Sequence, residues 1–167
     1  MMMFVRECNI DDAENLVQLI GKVESSSEFM MFGAGERSVT PEGQRKMISH
    51  FQSSPNSTIL LAENNNNLAG YLVVIGGDVK RKQHSALVVI GINEKFRGQG
   101  VGTLLFEEME RWAKDVPLNR LELTVVCENL SAVHLYKKMG FQVEGTKRNS
   151  LCIDGKYFDE FYMGKII

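Results

Sequence analysis

Apolar residues recur along this chain with two different periods, and the switches between them mark out its elements. Met2–Cys8 reads as a short strand. Ala13, Leu16, Val17 and Ile20 then fall on one helical face, with Asp11 and Glu14 spaced as a capping box before them and Ser25-Ser26-Ser27 closing the helix. Glu28–Ser38 is a loop containing Gly33 and Gly35. Thr40-Pro41 opens a second helix whose apolar side is Met47, Ile48 and Phe51. Ser57–Glu63 and Asn67–Ile75 read as strands around an asparagine turn, Asn64–Asn67. A polar, basic turn over Gly76–Gln83 leads into His84–Ile92, apolar on both faces and therefore a central strand.

Val101, Leu105, Met109 and Trp112 mark a helix over 101–114, followed by a strand, Asn119–Val126. Ala132, Leu135, Tyr136 and Met139 give another helix, which Gly140 ends. Phe141–Thr146 and Leu151–Met163 complete the set, the second strand bent or interrupted at Asp154-Gly155. The order is strand, two helices, three strands, helix, strand, helix, two strands. Strand 84–92, helix 101–114 and strand 119–126 form a crossover unit, which predicts a parallel pair. In open α/β sheets, ligands bind beyond the carboxyl ends of such strands.

Composition narrows the class. The 167 residues suit one domain, 1–167, with a substantial core. A formal net charge of −2 gives no electrostatic case for nucleic acid or an anionic membrane. The longest apolar runs, Leu68–Ile75 and Ala86–Ile92, are too short to span a bilayer. The apolar start, Met1–Val5, meets Arg6 and Glu7 at once and does not read as a signal peptide. Cys8, Cys127 and Cys152 contain no C-x-x-C, and His50, His84 and His134 show no ligand spacing. Neither a disulfide framework nor a metal is expected, and a cytoplasmic setting fits.

The candidate chemistry centres on Arg97-Gly98-Gln99-Gly100-Val101-Gly102, between a predicted strand and a predicted helix. Glycines allow main chain to approach a ligand closely. A helix start offers unpaired N–H groups and the positive end of a dipole, a combination that binds phosphate or pyrophosphate. A P-loop is disfavoured, since no lysine precedes Thr103. A dinucleotide fingerprint is disfavoured by the G-x-G-x-G spacing and the late position, although Glu122 lies at about the right distance. The pattern Arg-x-x-Gly-x-Gly resembles the coenzyme A pyrophosphate loop of the GCN5-related N-acetyltransferases (GNAT). A glycine turn with a purely structural job is the alternative.

A second segment, Glu128 to Phe141, resembles that superfamily's Asn-x-x-Ala-x-x-Leu-Tyr-x-x-x-Gly-Phe pattern through Asn129, Ala132, Leu135, Tyr136, Gly140 and Phe141. Together with the element order, the two motifs identify the chain as resembling a GNAT member over nearly its whole length. The resemblance implies an α/β fold: a mostly antiparallel sheet with a splayed parallel strand pair, flanked by about four helices. It implies acetyl transfer from acetyl-CoA to an amine by direct attack, with a non-catalytic acyl-CoA-binding sensor as the alternative. The acceptor is a protein N-terminus, a polyamine, an amino acid or another small amine. Dimers are common in the superfamily, and nothing in the sequence fixes one here.

The resemblance also distributes roles. Arg97, Gly98, Gln99, Gly100, Val101 and Gly102 hold the pyrophosphate, while Ile90, Gly91 and Ile92 run beside the pantetheine arm as if it were a further strand. Gly91 is compatible with a strand bulge, or with close packing alone. A main-chain N–H near Val89–Ile90 faces the thioester oxygen. Asn129 caps a helix, contacts pantetheine, or both, and Tyr136 stands beside the thioester sulfur as the catalytic group or is a core tyrosine. Glu28, Glu94 or a water is the base. Cys127 is more a small buried cysteine than a nucleophile, and His134 a surface residue. Acceptor choice falls to Glu28–Glu36, Lys80-Arg81-Lys82 and the hairpin around Asp154–Glu160, or these are solvated charges.

Overall fold

In the computed structural model, which describes residues 2–167, seven strands form one sheet in the order β1-β2-β3-β4-β5-β7-β6. The elements are β1 (Met3–Glu7), α1 (Ala13–Ser26), α2 (Pro41–Ser53), β2 (Thr58–Asn64), β3 (Asn67–Gly76), β4 (Ser85–Ile92), α3 (Val101–Ala113), β5 (Arg120–Val126), α4 (Leu130–Lys138), β6 (Gln142–Ile153) and β7 (Lys156–Ile166). Every pairing is antiparallel except β4 with β5.

The inner strand β2 buries both faces. In β2, Leu60 and Ala62 face the cluster built with Leu105, Phe106 and Met109 of α3, while Ile59 and Leu61 face Leu16, Ile20 and Ile48 of α1 and α2. The period of two in the strand thus divides one run of apolar side chains between two cores. Tyr136 and Phe141 meet Phe106 edge-on, with centroids 5.8 Å and 5.7 Å from it, and so fasten α4 to α3.

Two local expectations change. Asp11 is not the cap before α1. Asn9 caps a 3-10 turn, Ile10–Asp12, that feeds into α1, and Asp12 returns the bond by accepting from the Asn9 N–H at 2.8 Å. Asp12 is held there because Arg6 of β1 forks onto both its oxygens at 2.8 Å, tying strand to helix. The second change concerns the last hairpin. β6 continues to Ile153, and Asp154-Gly155 is the turn itself, with φ values of 51° and 78°. An Asp-Gly pair with both residues left-handed is what a two-residue hairpin turn needs. The stretch 147–150 stays in the strand as an irregularity in register, where the Asn149 N–H donates to Asp159 at 2.8 Å. The asparagine turn behaves as expected, with Asn65 and Asn66 at φ 48° and 67° between β2 and β3.

β4 and β5 pair only through Ser85–Leu87 and Arg120–Glu122. Beyond these residues the strands part, while β4 keeps its full register with β3 as far as Ile92. This opening in the middle of the sheet positions the site.

The Arg6–Asp12 fork carries a pH signature. The guanidinium holds the Asp12 carboxyl below its ordinary value. A carboxyl depressed in the folded state contributes stability above the unfolded pKa, about 3.9, and loses it as pH falls through the folded value. Asp12→Asn is therefore expected to destabilise the protein near neutrality, and the difference from wild type should shrink on acidification below about pH 4. Urea titrations at several pH values measure it.

Candidate active site

Where β4 and β5 separate, a cleft of about 910 Å³ runs from the loop after α1 to the start of α3. One wall is the free edge of β4. The Gly77 N–H bonds to Ser85 and the Asn93 N–H to Ala69, which fixes the alternation along the strand. Odd-numbered residues, Leu87, Val89 and Gly91, turn their main-chain groups to β3. Ile90 and Ile92 turn theirs toward β5, which no longer pairs with them beyond Leu87. Of the strand residues singled out by sequence, Ile90 and Ile92 thus present main chain to the cleft and Gly91 does not.

Gly91 is not a bulge, since its register with Tyr71 is unbroken. A Cβ there would lie 2.6 Å from Cζ of Tyr71, whose ring fills the space across the strand. Close packing is the reason for this glycine.

The glycine loop forms the cleft's floor. Gly98 and Gly100 have φ of 73° and 80°, with open space where a Cβ would be, so conformation alone demands glycine there. Gly100 is the N-cap of α3 and no side chain caps the helix, leaving the first-turn amides without an internal acceptor. Gly102 has a different task. Its missing Cβ would lie 2.7 Å from Leu135, so it lets α3 and α4 approach. Val101 is buried and starts the apolar face of α3. Arg97 is exposed and donates to Ser26 Oγ at 3.1 Å across the mouth of the cleft. Gln99 turns back and donates to the Lys95 carbonyl at 3.1 Å. These main-chain donors match a diphosphate, and the free edge of β4 matches an extended amide-bearing arm.

The opposite wall comes from α4. Asn129 caps it, accepting from the Ala132 N–H at 3.4 Å, and also lines the cleft. Tyr136 lines it too, although only 8% exposed. Burial pushes its phenol up to about 12, with no hydrogen bond contributing. It remains protonated at any physiological pH.

Other candidates separate clearly. Glu28 and Glu160 line the cleft, whereas Glu94 and the Lys80–Lys82 turn are exposed outside its lining. His134 is exposed. Cys127 is also outside the lining, and burial followed by the nearby Asp159 charge raises its thiol, which disfavours a nucleophilic thiolate. Among the described residues, no group of three or more His, Cys, Asp or Glu could hold a metal, and no helix is long and apolar enough to cross a membrane.

A model of the Acetyltransferase (GNAT) family matches residues 27–141. The chain belongs to the GNAT family. The family's donor, acetyl-CoA, has the diphosphate and amide-bearing arm that the two walls suit. An acetyltransferase of the GNAT family from Streptococcus pneumoniae superposes with a TM-score of 0.96 at 34% identity, covering 99% of this chain and 100% of that one. A GNAT superfamily phosphinothricin acetyltransferase from Sinorhizobium meliloti, in complex with acetyl-CoA, shares the fold at a TM-score of 0.86 and 14% identity, covering 100% and 89%. The L-amino acid N-acetyltransferase AaaT of Escherichia coli is 31% identical over 103 residues, 59% of this chain and 62% of that relative. The match thus spans less than two thirds of that relative's length.

The other end of this GNAT cleft holds polar residues that the sequence reading passed over: Glu24, Arg37, Gln44 and Tyr71. Glu24 follows Leu16 and Ile20 at intervals of four, a charge on the buried stripe of α1. That misplaced charge was the available signal. Gln44 precedes Ile48 by four residues on the buried side of α2 in the same way.

The Tyr71–Gly91 contact predicts a specific cost. Gly91→Ala should lower stability by about 1–3 kcal/mol through overpacking. Tyr71→Leu in the same chain should restore part of it, because the clash is with the ring. Urea unfolding of the single and double variants tests the coupling.

Proposed function

We propose that this chain transfers the acetyl group of acetyl-CoA to a primary amine by direct attack. The observation that carries the reading is convergence: one cleft gathers uncapped amides of α3, the free edge of β4 and a protonated, buried tyrosine. Arg97 and the amides from Gly98 to Gly102 hold the diphosphate. The Ile90 carbonyl and the groups of Ile92 bond the pantetheine arm as a strand would, and Asn129 receives it from the α4 side. Acetyl-CoA supplies the activated acyl group.

The Ile90 N–H, on the open edge, stabilises negative charge on the acyl oxygen in this reading. Tyr136 offers its O–H to the departing sulfur. At about 12 its phenol is a weaker acid than free tyrosine, so full transfer to a thiol of pKa about 8.5 would be uphill by roughly 5 kcal/mol. Hydrogen-bond donation, rather than protonation, is the role its environment supports. The same pKa scale bears on the acceptor. Neutralising an amine of pKa about 10.4 at pH 7 costs roughly 4.6 kcal/mol, against roughly 1.4 for an α-amine of pKa about 8. Of the carboxylates first considered as base, Glu28 is the one at the cleft.

Two variants test the assignment. Gly100→Ala places a Cβ at φ 80° in open space, so it strains the loop without a clash and should weaken acetyl-CoA binding about tenfold by calorimetry, with roughly 1–2 kcal/mol of strain. Tyr136→Phe keeps the ring packing against Phe106 and Phe141. It should reduce kcat about 10²-fold while the affinity for acetyl-CoA is retained. Unchanged turnover would remove Tyr136 from the mechanism. Tight binding of acetyl-CoA with no thiol release for any amine would make the chain an acyl-CoA sensor instead.

A further inference from the structure

Glu24 and Arg37 form an ion pair at 2.9 Å inside the amine end of the cleft, the carboxylate nearly buried and the guanidinium about a third exposed at 38%. Arg37 also lies 4.7 Å over the ring of Phe32. Burial raises the Tyr71 phenol first of all, and both charges also act on it, Glu24 raising it and Arg37 lowering it, so the three side chains share one neighbourhood. Gln44, 5% exposed and lining the same cleft, has a side-chain oxygen with no hydrogen-bond partner. The surrounding walls are apolar: Phe29, Met30, Met47, Ile75, Leu87 and Val89. Phe29 meets Phe158 of β7 edge-on at 5.9 Å, so the loop after α1 bridges to the strand on the far side of the opening.

The Glu24–Arg37 pair set among apolar walls, with Glu28 and Glu160 also on the cleft, suits a ligand carrying both charges on a small head and an apolar body. We infer that the acceptor is a free α-amino acid with an apolar side chain, its ammonium facing Glu24 and the Gln44 oxygen and its carboxylate facing Arg37. This rests on the acetyl-transfer reading and specifies the acceptor. A polyamine could pair with Glu24, Glu28 and Glu160 but would meet Arg37 as a like charge and leave it without an anion of the ligand. A peptide N-terminus lacks the α-carboxylate that Arg37 would bind bidentately. An amino acid satisfies both charges, supplies donors to Gln44 and carries an α-amine, the more easily neutralised kind.

The test compares thiol release from acetyl-CoA with L-leucine, L-methionine, L-leucinamide, a leucyl tripeptide and spermidine. Calorimetry of leucine binding to the CoA-loaded protein runs alongside. Leucine or methionine should exceed leucinamide in kcat/KM by about 10²-fold, the loss expected when a charged hydrogen-bonding partner is removed. Arg37→Gln should bring the leucine-to-leucinamide ratio to within about threefold of unity, and Arg37→Lys should recover part of it. A thermal melt and acetyl-CoA affinity report whether each variant is folded. Equal or better use of leucinamide, the tripeptide or spermidine overturns the inference and leaves acetyl transfer standing. So does an Arg37→Gln variant, folded by these measures, whose ratio is unchanged. Leucine binding that depends on Arg37, without thiol release for any amine, supports the subsite and overturns acetyl transfer. Neither binding nor release overturns both.

Discussion

The parting of β4 from β5 is the constraint on which the rest depends. A strand in the middle of a sheet has donors and acceptors on both edges, and leaving one edge unpaired in a protein interior is costly. Here β4 stays in register with β3 to Ile92 while its other edge loses β5 after Leu87. The fold holds this opening with neighbours that cannot close it. β5 is drawn away by its full-length pairing with β7, and α3 and α4 are locked together at Gly102 against Leu135. The unpaired main chain of Ile90 and Ile92 is then a polar, straight edge, beside the uncapped amides of the first turn of α3.

In the proposed assignment, the two ends of the cleft bind by different means. The donor end works through main chain: strand edge, loop amides and helix dipole. Its side-chain requirements are mostly negative, since Gly98 and Gly100 must adopt left-handed φ and Gly102 must let Leu135 approach. The acceptor end works through side chains brought from α1, the loop after it, α2 and β3. Glu24, Arg37, Gln44 and Tyr71 span 48 positions of sequence, and no spacing rule links them.

That difference explains what could be read in the sequence. The seven strands and four helices, their order and the parallel pair were legible because apolar periodicity is a direct trace of burial on one or two faces. The glycine loop and the Asn129–Tyr136 segment, both of which line the cleft, could be picked out because each is a contiguous stretch of sequence. The β6–β7 turn was misplaced because polar residues 147–150 look like a loop, although Asp154-Gly155 carried the stronger turn signal. Gly91 was open to two explanations until the Tyr71 ring was seen across from it, since the partner lies on another strand. Glu24 left a trace, a charge at the fourth position after Ile20, but a periodicity count that asks only where apolar residues fall does not register a polar one on the same stripe.

Tyr71 and Gly91 join the two ends. Residues opposite one another on adjacent strands share a face, and the absence of a side chain at Gly91 lets the Tyr71 ring lie across β4. The same strand thus carries acceptor-side packing on one face and offers donor-side hydrogen bonds along its edge at Ile90 and Ile92. Because the edge uses only main chain, the residues on that face can change without altering the bonds available to the donor. The chamber around Glu24 and Arg37 is free to vary in shape and charge over an unchanged strand, provided that each bulky neighbour is matched by a small residue opposite. On the proposed assignment, donor binding and acceptor choice are therefore physically separable, although they meet at one strand.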